Sequence, residues 1–284
     1  MTESEAASVA KAGQEGRSNL LLRIAASLVL APFAILIAYL GGWLWTALVT
    51  AATIGLYVEW LAVIGARTPR VVALGVLTLL GAGFLEAAHI TTVPRLAAVV
   101  ATGILAVGAL APDRRVWAVA GIGYALAALF ASSAVRLDPV WGFAALMLVL
   151  LVVWATDIGG YFAGRLIGGP KLWPRVSPKK TWAGAIGGFL ASLAIAGGFV
   201  ALDFGKAIPM LALSAVLSLS SQLGDLFESA VKRRFGVKDS SHLIPGHGGL
   251  LDRLDGFVAA IIVAAVFGFL RGGADSIGRG LMVW

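Results

Sequence analysis

Residues 140–164 read VWGFAALMLVLLVVWATDIGGYFAG, and Asp157 is the single charged residue among them. A helix that crosses the hydrocarbon core of a bilayer needs about 20 mostly apolar residues. This stretch meets that length. An aspartate at the centre of such a helix costs about 2.5–3.5 kcal/mol on insertion scales, so its presence asks for a chemical reason.

Working outward, the same apolar pattern recurs along the chain. Nine spans are expected, near Leu20–Leu40, Trp43–Ile64, Val71–Thr91, Leu96–Ala111, Val116–Val135, Val140–Gly164, Trp182–Leu202, Ala207–Ala230 and Leu250–Leu270. The composition agrees. Of 284 residues, 59% are hydrophobic and 13% charged, with a mean hydropathy of +0.92. Soluble domains carry about 25% charged residues. The fold class expected is therefore all-α, a polytopic integral membrane protein. Residues 1–18 are polar and aperiodic and read as a disordered cytoplasmic tail. Residues 19–284 read as a single transmembrane domain with its catalytic part in 150–260. The apolar run after the tail is too long for the core of a secretory signal.

Basic residues orient the bundle. With the N-terminus inside, seventeen of the 22 Lys and Arg residues fall on the cytoplasmic side and five outside. Positive charge is retained on the cytoplasmic side of membrane proteins. Two loops, Arg165–Thr181 and Lys232–Leu250, hold most of these charges and are expected to face the cytoplasm. The net charge of +7 lies in short loops between spans, which points to topology and anionic lipid headgroups, not nucleic acid. The absence of cysteine excludes disulfides, thiolate metal sites and cysteine nucleophiles.

Carboxylates gather in the C-terminal half. Residues three or four apart share a helix face, so Ser221, Asp225, Glu228 and Lys232 form one polar stripe. Asp252 and Asp255 share another face. Two acidic faces near the cytoplasmic boundary make an oxygen-ligand site suited to Mg²⁺, which takes carboxylates and substrate phosphates. Lone Glu59 and Glu86 read as helix-packing hydrogen bonds or interfacial positions, and His89 as interfacial. Lys179 and Lys180, in SPKKTWAG (177–184), suit phosphate as point charges. Ser177 and Thr181 can cap the helix that follows, whose N-terminus favours anions. The stretch 232–255 adds Arg233, Lys238, Asp239, His247 and Arg253 among glycines that allow close backbone approach. No phosphate-binding G-x-x-x-x-G-K-[ST] loop, G-x-S-x-G elbow or H-E-x-x-H pair is present.

On these residues the chain resembles the phosphatidate cytidylyltransferase (CDP-diacylglycerol synthase) family. Ser229–Asp255, SAVKRRFGVKDSSHLIPGHGGLLDRLD, fits that family's signature at every fixed position, and SQLGDLFES, SPKKTW and WATDIGGYFAG are similar to it too. The resemblance implies the reaction of CTP with phosphatidate to give CDP-diacylglycerol and pyrophosphate, in phospholipid biosynthesis. It implies Mg²⁺ in a paired metal site held by Asp225 and Asp252, and a homodimer in the inner or plasma membrane. Catalytic roles are then expected for Asp225, Asp252, Lys232 and Asp255. Substrate contacts are expected from Asp157, Ser177, Lys179, Lys180, Arg233, Lys238, Asp239, His247 and Arg253. Other CTP-dependent lipid enzymes, such as a polyprenol kinase, and a transporter are the alternatives. A CDP-alcohol phosphotransferase is excluded because Ala260 stands where its motif requires Arg.

Overall fold

A computed structural model describes residues 29–88, 92–241 and 248–284. The expected tail, the first part of the first span, His89 and His247 lie outside the described residues. The chain is helical nearly throughout. In a bilayer every backbone N–H and C=O must be satisfied inside the segment, and a helix does this by itself.

The helices follow the apolar runs closely. An apolar helix α1 covers Val29–Leu40. Then come α2 (Gly42–Val63), α3 (Pro69–Ala87), α4 (Val93–Leu110), α5 (Arg115–Leu137), α6 (Gly142–Leu166), α7 (Trp182–Ala201), α8 (Ala207–Arg234), α9 (Leu251–Gly272) and a short α10 (Ile277–Met282). Eight of the described helices, α2 to α9, are long and apolar enough to cross a membrane. Local chemistry sets their ends. Gly41, at φ 67°, separates α1 from α2, a conformation that costs glycine little. Thr68 caps α3 through Val71 N at 3.4 Å with Pro69 at the first position. Thr181 caps α7 by accepting from Gly184 N at 3.1 Å, the capping expected from the sequence.

One expectation needs correcting. The segment between α6 and α7 is not a plain loop but an antiparallel hairpin of β1 (Lys171–Trp173) and β2 (Ser177–Thr181). Lys171 pairs with Thr181 and Trp173 with Ser177. Gly168 and Gly169, with φ of 68° and 91°, turn the chain out of α6 into this hairpin. The strand had no signal because SPKKT lacks the apolar–polar alternation of a half-buried strand.

Glycines bring the catalytic helices together. On the α6–α7 seam, a Cβ at Gly188 would strike the Thr156 carbonyl, and one at Gly184 would strike the Gly160 carbonyl. On the α8–α9 seam, Cβ atoms at Gly224 and Gly256 would meet the Asp255 carbonyl and Ser221 Oγ. Small residues allow this close backbone approach where lipid supplies no hydrophobic drive between helices. In the N-terminal half, α2 and α5 form the buried centre and reach α9. Trp60 anchors that centre, donating to the Trp117 carbonyl at 2.8 Å and stacking on Tyr124 and Phe227.

The two ends of the bundle differ. One end gathers Glu59, the β hairpin, the end of α8 and the start of α9. Arg114 lies over Phe235 and Arg234 over Trp117 there. The opposite end is tied by backbone contacts: Arg136 to the carbonyls of Ala38 and Tyr39, and Asp138 to the amides of Val140, Trp141 and Arg279.

Candidate active site

At the first of these ends, α6, the hairpin, α7, α8 and α9 enclose a cavity of about 600 Å³. Its wall carries the carboxylates of Asp157, Asp225, Asp252 and Asp255 and the cations Arg165, Lys179, Lys180 and Arg253. Thr156, Tyr161, Thr181 and Gln222 complete the polar lining. Helix spacing accounts for much of this. Asp157, Gly160, Tyr161 and Gly164 lie on one face of α6, and the glycines let α7 close against it. Strand β2 carries Lys179 and Lys180 to the cavity, and the N-terminus of α7 follows at once.

Two lysine–aspartate pairs dominate the electrostatics. Lys180 Nζ lies 2.5 Å from Asp225 Oδ2, with both side chains about one-third exposed. Ser229 Oγ is 3.4 Å from the other Asp225 oxygen. Lys232 Nζ lies 2.5 Å from Asp252 Oδ1 and 2.6 Å from Glu228 Oε2, and this cluster is buried. Asp252 also accepts from Ser240 N at 3.1 Å and Gly249 N at 2.9 Å, and Ser240 Oγ lies 3.1 Å from its Oδ2. These donors hold Asp252 from behind, and Asp252 and Asp225 both line the cavity. Asp255 accepts from Gly256 N at 2.7 Å.

The structure brings together seven of the residues singled out in the sequence: Asp157, Lys179, Lys180, Asp225, Asp252, Arg253 and Asp255. Lys232 stands behind the wall as the cation between Asp252 and Glu228. Ser177 is on β2 and half-buried. The Arg233 guanidinium is turned to the carbonyls of Val176 and Val237. Lys238 and Asp239 lie beyond the cavity lining. Sequence reasoning missed Arg165, which reads as a topology charge, and Tyr161 and Gln222, uncharged residues that stand four after Asp157 and three before Asp225 on the same helix faces, and Ser240, which touches Asp252. Arg165 donates to the Tyr161 hydroxyl at 2.7 Å.

Among the described residues, no three His, Asp or Glu side chains converge as a dedicated metal cage. The donor set nevertheless suits Mg²⁺, which is commonly bound by one or two carboxylates with substrate phosphates supplying the rest. Four carboxylates share one cavity, and two of them already hold ammonium groups at 2.5 Å. Asp225 and Asp252 are thus cation partners in this structure.

A cavity of about 600 Å³ lined by four carboxylates and four cations and set into apolar helices suits a membrane enzyme that handles phosphate groups, and the family to which the chain belongs makes it a nucleotidyltransferase. The chain belongs to the cytidylyltransferase family, whose family model matches residues 21–270. It is 40% identical over 262 residues to the phosphatidate cytidylyltransferase of Brucella suis biovar 1 (strain 1330), covering 88% of this chain and 94% of that one. The phosphatidate cytidylyltransferase of Haemophilus influenzae (strain ATCC 51907 / DSM 11121 / KW20 / Rd) is 45% identical over 140 residues, covering 46% of this chain and 48% of its own. That of Staphylococcus haemolyticus (strain JCSC1435) is 51% identical over 117 residues, covering 40% and 44%.

Proposed function

We propose that this membrane cytidylyltransferase condenses CTP with phosphatidate to give CDP-diacylglycerol and pyrophosphate. The observation that carries the reading is the cavity itself, with four carboxylates and four cations at one end of the bundle. A transporter would be expected to place its charges near the midplane.

The reaction needs little proton chemistry. A phosphate monoester has a second pKa of about 6 and is largely dianionic at neutral pH. One oxygen of the lipid phosphate attacks the α-phosphorus of CTP. A P–O bond forms there, the bond to the β-phosphate oxygen breaks, and pyrophosphate leaves with the electron pair. The barrier is repulsion between anions, so catalysis is positioning and charge neutralisation. Lys179 and Lys180 neutralise the departing pyrophosphate, and Arg253 and Arg165 neutralise the lipid phosphate. Lys180 can serve both Asp225 and a phosphate, because its ammonium has three donors. Asp225 and Asp252 would hold Mg²⁺, whose charge offsets that of the phosphates when bound. Lys232 acts through Asp252, which it orients, and does not touch substrate. Asp255 and Asp157 complete the acidic wall.

The same proposal places the cavity on the cytoplasmic side, where CTP is found, in agreement with the distribution of Lys and Arg. It includes a homodimer, to be checked by the mass of the protein in detergent. The reaction is tested by incubating purified protein with CTP, Mg²⁺ and phosphatidate in micelles. Equal amounts of CDP-diacylglycerol and pyrophosphate are expected. CTP consumption without a CDP-lipid would overturn the reading.

A further inference from the structure

We propose that Glu59, in the N-terminal half of the chain, is a positioning residue that builds the start of α9 and thereby sets Asp252. Glu59 sits on α2 one turn from its C-terminal end and is 4% exposed. That is an unfavourable place for a carboxylate. The helix dipole is negative there, and a buried charge needs full compensation.

Among the described residues, the compensation comes from the loop and helix that carry Asp252. Ser241 Oγ and Leu250 N donate to Glu59 Oε1 at 2.6 and 2.9 Å. Ser240 Oγ and Leu251 N reach Oε2 at 2.8 and 2.7 Å. An ionised carboxylate has about four lone-pair sites, and four donors fill them. Helix α9 has no side-chain cap of its own, since its cap position is Leu250. Exposed helix N-termini need acceptors. Glu59 provides them from another helix, 191 and 192 residues away in sequence.

Besides the start of α9 itself, Ser240 links Glu59 to the active site. Ser240 Oγ lies 2.8 Å from Glu59 Oε2 and 3.1 Å from Asp252 Oδ2, and Ser240 N donates to Asp252. Ser240 therefore stands between the two carboxylates. Glycines make the approach possible. A Cβ at Gly249 would collide with Ser240 Oγ and the Glu59 carboxylate, and one at Gly55, a turn earlier on α2, would meet the Leu250 side chain.

The consequence rests on the proposed role of Asp252 at the substrate phosphates. Glu59→Gln keeps the shape but turns an NH₂ towards groups that themselves donate. A hydrogen bond to a charged group is worth about 1.5–3 kcal/mol, so loosening the cradle by one such bond should change a dependent equilibrium about tenfold or more. In purified Glu59→Gln, amide exchange at Leu250 and Leu251 should accelerate by about tenfold, and the Mg²⁺ concentration for half-maximal activity should rise about tenfold. Loss of folded protein alone would lower kcat and leave that concentration unchanged. Ser241→Ala, which removes one donor and leaves α2 intact, should move both readouts in the same direction by a smaller factor. Unchanged exchange at Leu250 and Leu251 in Glu59→Gln, or an unchanged Mg²⁺ dependence, overturns the assignment. If the wild-type protein makes no CDP-diacylglycerol, the proposed reaction fails, and the exchange measurement still decides whether Glu59 holds the start of α9.

Discussion

Two lysine–aspartate pairs have the same 2.5 Å separation and should respond very differently to removal of the lysine. Lys232 is 9% exposed and serves both Asp252 and Glu228, whose side chains are 14% and 2% exposed. Lys232→Met preserves length and helix propensity but strands two carboxylates in a buried site. Breaking a buried pair by removing one partner costs about 3–5 kcal/mol. In a chain of this size each kcal/mol lowers the melting temperature by about 2–4 °C, so a fall of about 6 °C or more is expected. Lys180→Met strands Asp225 at about one-third exposure. Such pairs contribute about 0–1 kcal/mol, so its melting temperature should stay within about 3 °C of wild type. Activity should fall in both proteins. The assay is thermal unfolding in detergent followed by tryptophan fluorescence, with nine tryptophans as reporters, run beside CTP turnover. Adding Glu228→Gln to Lys232→Met removes one stranded charge and should recover part of the lost stability. A melting temperature for Lys232→Met within about 2 °C of wild type would refute the reasoning, because the buried cluster would then carry no net stabilisation.

Asp225→Asn and Asp252→Asn should each abolish turnover while the protein still inserts and purifies; full activity of either at saturating Mg²⁺ would remove it from the metal assignment. Replacing both Lys179 and Lys180 by Arg should lower kcat/KM for CTP by about tenfold, or about 1.4 kcal/mol, because a planar guanidinium does not reproduce the geometry of a compact ammonium. Wild-type kinetics would reduce these lysines to topology signals. The chain has no cysteine, so Arg175→Cys or Lys238→Cys gives a single thiol without further changes. Either should be shielded from an impermeant thiol reagent in intact cells, and labelling from outside would reverse the proposed orientation.

Much of the fold was legible because apolar length is a one-dimensional property. The spans from Trp43 to Leu270 were located to within a few residues, and Trp182 and Ala207 mark helix starts in both sequence and structure. The acidic residues of α6, α8 and α9 were legible for a related reason: charge in an apolar helix stands out against its surroundings. What the sequence concealed depends on contacts distant along the chain. Helical spacing shows Glu228 as a neighbour of Lys232, but not its second partner Asp252, twenty residues on. Glu59 reads as a helix-packing carboxylate, and it does make packing hydrogen bonds. Its partners begin 181 residues away, so nothing near Glu59 announces its link to Asp252. The hairpin of β1 and β2 was hidden because its pairing serves to place two lysines, with no buried apolar face to betray it.

The central claim is nucleotidyl transfer to a lipid phosphate, and the fate of the individual phosphates of CTP tests it most directly. Purified protein in phosphatidate micelles would be given CTP labelled at the α-phosphate in one reaction and at the γ-phosphate in another. The α-label is expected to enter the organic phase as CDP-diacylglycerol and the γ-label to remain in the aqueous phase as pyrophosphate. A γ-label in the lipid would mark a kinase, and no label in the lipid from either CTP would contradict the account altogether.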